Sequence, residues 1–145
     1  MKKKAWLLVW APVPMCEGAE IARMDFLRRF AEETGYEVIG KSEVIGRGDI
    51  VEDAIMKLLA AEPPANGADA IYLRGLKVIA LNGYVKAIEL CDKAKERGVE
   101  VITADGSLQM IRDNYEFYMP ILKSMDEAQK EIEDFSFEKI FNQMM

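Results

Sequence analysis

The chain has 145 residues, half of them hydrophobic and 30% charged, with a net charge of −6 and a pI near 4.8. That size and balance describe one globular domain with a real core, and the acidity argues against a basic nucleic-acid-binding face. Histidine is absent and Cys16 and Cys91 stand far apart, so the residues argue against a zinc site and for reduced thiols.

Lys2-Lys3-Lys4 and the apolar run Ala5 to Ala11 imitate the start of a signal peptide. The run is short and no small-residue cleavage site follows, so a buried first strand over Lys4 to Ala11 is expected. Nothing else approaches membrane-spanning length, and a cytoplasmic protein is expected. A helix follows from about Ala19 to Thr34, with Ile21, Met24, Phe26, Leu27, Phe30 and Ala31 mostly on one face and Gly35 as its stop. Tyr36 to Lys41 reads as the second strand.

The loop Ile45-Gly46-Arg47-Gly48-Asp49 lacks the spacing of a phosphate loop, though Arg47 before a helix start is a candidate anion contact. A helix over Ile50 to Ala61 is broken by Pro63-Pro64-Ala65-Asn66-Gly67. Ala70 to Leu73 is the third strand, Gly83 to Arg97 the third helix, and Val99 to Thr103 the fourth strand. Asp105-Gly106-Ser107 reads most simply as a turn with a helix cap. From Leu108 the pattern is helical, with an interruption expected near Pro120.

Ile121, Met125, Ala128, Ile132 and Phe135 recur at spacings of four, three, four and three, the heptad rhythm of a packing seam. The seam has two readings, packing on the chain's own core or self-association. Glu131, Glu133 and Asp134 read as a solvated helix face. Alternation of strands and helices predicts an α/β fold with a mainly parallel sheet. It forms a single domain over 1–145, with an α/β core over 1–105 and a helical segment over 106–145.

Trp10-Ala11-Pro12-Val13-Pro14 closes the first strand and opens the next loop. It resembles the Tyr-Ala-Arg-Val-Ser of serine recombinases of the resolvase/invertase family, whose serine attacks the DNA phosphate. The likeness runs on through Ile21, Ala22, Leu27, Phe30, Ala31 and the Gly35-Tyr36 helix exit, with Arg23 at a usual glutamine position. Arg47 stands where that family has an arginine before its second helix, Ala68 to Leu73 resembles its third strand, and Arg97-Gly98-Val99 its third helix exit.

The resemblance implies a resolvase-type α/β domain with a long C-terminal helix, but its chemistry is missing. Pro12 and Pro14 hold the arginine and serine places. Leu76-Lys77-Val78-Ile79-Ala80-Leu81 stands against Leu-Asp-Arg-Leu-x-Arg, so Lys77, Val78 and Leu81 replace the aspartate and both arginines. Losing one oxyanion-type donor costs roughly 10²–10³ in rate, and here nucleophile and charged partners are lost together, so no recombinase activity is expected. The family's C-terminal DNA-binding module also has no counterpart among these residues, and with the negative charge any DNA binding should be weak.

The expected protein is a non-enzymatic accessory or regulatory homodimer, seamed by its C-terminal helix and needing no cofactor or metal. Two alternatives stand beside it. One is a recombination component that binds DNA or an active recombinase. The other is an anion or small-molecule binding domain using Arg47 and the strand-end loops. The apolar run Val78 to Leu81 could also face a protein partner.

Overall fold

A computed structural model describes residues 2–46 and 50–144, with side chains through residue 132. Four strands, β1 (Lys3–Ala11), β2 (Tyr36–Ile45), β3 (Ala70–Leu73) and β4 (Glu100–Thr103), form one sheet in the order β2-β1-β3-β4. All the pairings are parallel, as expected of strands joined by helical crossovers. The helices are α1 (Glu17–Glu33), α2 (Ile50–Ala60), α3 (Tyr84–Glu96), α4 (Ser107–Asp113) and α5 (Tyr115–Met144).

Side chains of β1 alternate between two cores, as the strand period requires. Ala5 and Leu7 face α1, where they pack with Met24, Leu27, Ala31 and Tyr72. Leu8 faces the larger core built from α2, α3, α4 and the start of α5, around Ile55, Ile71, Leu76, Ile88 and Leu108. The N-terminal apolar run is therefore an inner strand of the sheet, as expected.

β2 extends four residues past the expected end at Lys41, because β1 is long enough to keep pairing as far as Ala11 with Ile45. The register slips by one residue between Ala5 and Trp6, placing Gly40 opposite Trp6. A Cβ at Gly40 would collide with the Trp6 ring. The freed space lets the Trp6 indole N–H donate to Ser42 Oγ at 2.8 Å.

On α1, Ile21 and Phe26 are exposed and only Met24, Leu27 and Ala31 are buried, so the buried stripe is narrower than the sequence pattern suggests. The C-terminal segment breaks at Asn114 (φ −132°, ψ 45°), not near Pro120, which lies inside α5. Asn114 supplies the carbonyl that receives the N–H groups of Phe117 and Tyr118 at 3.1 and 3.0 Å. The N–H that Pro120 lacks would have met the carbonyl of exposed Glu116, which water can satisfy.

Two features fasten α5 to the rest. Met119 and Leu122 enter the larger core. Asp126 accepts the backbone N–H groups of Tyr84 and Val85, at 2.9 and 3.0 Å, and so caps α3 from a distant helix.

Candidate functional site

The chain connections reverse direction next to β1. From β1 the chain crosses by α1 to the edge strand β2, then returns by α2 to β3 on the other side of β1. Open parallel sheets leave a crevice at such a reversal, outside the carboxyl ends of the strands. A cleft of about 630 Å³ lies there.

Its walls come from three strand exits and one helix. β1 contributes Trp10 and Pro12, and the segment after β3 contributes Arg74, Gly75, Lys77, Val78 and Leu81. Asp105 enters from the turn after β4, while Arg23 and Phe26 enter from α1. The Leu76-to-Leu81 run is not one apolar patch. Its first part, Leu76–Ile79, is a 3-10 turn that buries Leu76 and Ile79 in the core and leaves Lys77 and Val78 at the cleft.

Local hydrogen bonds hold this frame. The Trp10 indole N–H donates to Gly46 O at 2.8 Å, and Arg23 Nη1 donates to Trp10 O at 3.2 Å. Asp105 Oδ1 accepts both the Ser107 N–H at 2.9 Å and the Ser107 hydroxyl at 2.7 Å. Ser107 Oγ in turn accepts the Leu76 N–H at 2.9 Å, tying the turns after β3 and β4 together. The expected turn is present, but the N-cap residue of α4 is Gly106, which offers no side-chain cap; Thr103 Oγ1 instead takes the Leu108 N–H at 3.2 Å and Asp105 the Ser107 N–H. Gly75 has no room for a Cβ because the Asp105 carboxylate occupies that place.

The structure thus brings Pro12, Lys77, Val78 and Leu81 to one cleft. Pro14 is exposed on the loop before α1 and is not part of the lining. Arg47 lies outside the described residues. Sequence reasoning missed Trp10 as a wall, Phe26 as a rim residue and Arg74 as a cation at a strand exit. The position of Arg74, one residue past the carboxyl end of β3, was a usable signal.

Charge in the cleft is uneven. Among the described lining residues, Arg23, Arg74 and Lys77 stand with one acid, Asp105. Among the described residues, neither Arg74 nor Lys77 forms a side-chain hydrogen bond or ion pair. None of the described lining residues carries a hydroxyl. Away from the cleft, burial pushes the Cys91 thiol up to about 12, and Cys16 is free and exposed. Burial also raises the Tyr72 phenol, although its 2.6 Å hydrogen bond with Thr34 pulls the other way.

The seam candidates take a clear side. Ile121, Met125 and Ile132 are 44%, 48% and 60% exposed, and Ala128 is exposed with them. They face away from the chain's own core, while Met119 and Leu122 fill it. Phe117, 66% exposed, extends the stripe by one turn. The Phe135 side chain lies outside those described. Of the acidic group, Glu131 is exposed as expected, and the side chains of Glu133 and Asp134 also lie outside those described. No helix among the described residues is long and apolar enough to cross a membrane.

No protein-family model and no curated protein matches the chain. Solved structures do match. A resolvase family site-specific recombinase from Streptococcus pneumoniae superposes with a TM-score of 0.63 at 18% identity, over 98% of each chain. The N-terminal catalytic domain of TP901-1 integrase gives 0.58 at 19% identity, covering 90% of this chain and 99% of its own. The C-terminal catalytic domain of ISC1926 TnpA, an IS607-like serine recombinase, gives 0.54 at 14% identity, covering 96% and 99%. A four-stranded parallel sheet, the reversal beside β1 and a long terminal helix make this chain a domain with the fold of the resolvase-type serine recombinase catalytic domain.

Proposed function

We propose that the protein is a catalytically inactive resolvase-like domain, acting in the cytoplasm as an accessory or regulatory homodimer. The observation that carries this reading is the cleft lining. Pro12 stands at the β1 exit, Lys77, Val78 and Leu81 stand after β3, and none of the described lining residues brings a hydroxyl between them. Phosphodiester transfer needs a nucleophile and guanidinium groups around the phosphoryl oxygens. Ser107, the serine nearest in the chain to a lining residue, spends its hydroxyl on Asp105.

The exposed stripe on α5 supports the dimer, since apolar residues at heptad spacing bury themselves best against a second helix. The net charge of −6 supports a role outside tight DNA binding. Incubation with supercoiled plasmid, read for nicks and for a covalent protein–DNA adduct, should give neither. Sedimentation of the same sample should give a dimer. Any adduct removes the inactive reading, and a monomer at tens of micromolar removes the dimer.

A second reading has its own observation. The cations at the cleft favour an anionic partner, either DNA bound without cutting or a small ligand. Duplex DNA binding measured by fluorescence anisotropy, and falling steeply as salt rises, would favour the recombination alternative.

A further inference from the structure

We infer that the cleft at the strand ends binds a small amphipathic anion, with a carboxylate or phosphate head on Arg74 and Lys77 and a ring-sized apolar body against Trp10, Phe26, Val78 and Leu81. The inference rests on the preceding reading only in that the cleft is free of phosphodiester chemistry. It requires no dimer.

Size comes first. Small-molecule sites commonly enclose about 300–1,000 Å³, largely apolar with a few placed polar groups, and this cleft measures about 630 Å³. Its position at the reversal beside β1 is where open parallel sheets hold ligands.

Charge comes next. Asp105, the one acid among the described lining residues, spends its Oδ1 on the Ser107 N–H and hydroxyl. Arg23 is turned to the Trp10 carbonyl. Arg74 and Lys77 have no such partner among the described residues, so two cations stand uncompensated beside apolar walls. A guanidinium fork suits carboxylate and phosphate oxygens alike. A free inorganic ion would leave the exposed Phe26 and Leu81 side chains of the lining uncovered, whereas an anion with an apolar body covers both kinds of wall. The rigid parts of the cleft are already in place, since Gly75, Asp105, Ser107 and the Leu76 N–H lock the two turns together.

Calorimetric titration of the full chain with 2-naphthoate and with 2-naphthyl phosphate tests this. At least one should bind once per chain with a submillimolar Kd, and the tighter of the two names the head. Neutral 2-naphthamide and inorganic phosphate should each bind at least tenfold more weakly. The exposed double variant Arg74→Gln/Lys77→Gln should lose at least tenfold, and Leu81→Glu should lose binding as well. Silence from both naphthyl anions overturns the inference, as does equal binding by the amide or full affinity in the double variant. The plasmid assay reads separately. A chain that binds neither anion and does not nick DNA keeps the earlier reading and loses this one, whereas one that nicks DNA loses the earlier reading whatever the calorimetry gives.

Discussion

Apolar side chains meet solvent in two places that differ in shape and charge. The cleft at the strand ends is concave, mixes Trp10 and Phe26 with Arg74 and Lys77, and is framed by hydrogen-bonded turns. The α5 face is a convex line of Phe117, Ile121, Met125 and Ile132 at helical spacing. A concave, charged surface suits a small ligand that brings its own counter-charge. A straight apolar line suits another helix, which can match it turn for turn. Two exposed apolar regions on one domain can therefore call for quite different partners.

Charge placed on each region separates them most sharply. Ile121→Glu with Met125→Glu should weaken self-association at least a hundredfold by sedimentation, while Leu81→Glu should leave it unchanged. A dimer that survives the double change, or dissolves with the single one, breaks the distinction. Asp126 comes next. Asp126→Ala removes the acceptor for two N–H groups at the α3 start and should cost about 1–2 kcal/mol in denaturant unfolding. It should also weaken the dimer, because α5 loses a fastening, and leave the cleft's anion affinity within twofold.

The buried thiol adds a pH signature shared by both regions, since Cys91 sits in the core that supports each. Burial raises its folded pKa from 9.0 to about 12. Its contribution is therefore intact below pH 9 and is lost as pH climbs towards 12, at up to about 1.4 kcal/mol per pH unit. Cys91→Ala should flatten that alkaline slope in urea titrations at successive pH values, and an unchanged slope would show that the thiol does not titrate on unfolding. The smallest effect belongs to Leu81→Ala. That side chain is 39% exposed at the cleft rim, so the change should move stability by no more than about 0.5 kcal/mol.

Much of this was legible from periodicity. β3 falls where its four apolar residues stand, and the α2 and α3 ends lie within a residue of the expected Ala61 and Arg97, just ahead of their Pro63 and Gly98 signals. Expectation failed where a distant partner decides. β2 runs on to Ile45 because β1 pairs with it, and no local pattern beyond Lys41 announces that. Pro120 looks like a break, yet the carbonyl it leaves unpaired belongs to an exposed residue and the helix continues. The convergence of Pro12, Lys77, Val78 and Leu81 was implied by resemblance alone. Their neighbours Trp10, Phe26 and Arg74 needed the topology, because they come from three segments. The cap supplied by Asp126 lies more than forty residues from the N–H groups it satisfies, beyond any short-range motif.

The central place of β1 has a consequence for how the chain folds. This strand leaves the ribosome before either of its neighbours, and its two flanks are filled by β2 and then by β3, whose Ala70 pairs with Ala5. Closing that second flank spans most of the α/β core, and such non-local contacts form slowly. Until residue 70 has been made, one long edge of the apolar strand stands open to any extended chain that passes. The α1 crossover and β2 can shield only its other side. The period of greatest risk from aggregation thus falls between the synthesis of β1 and that of β3.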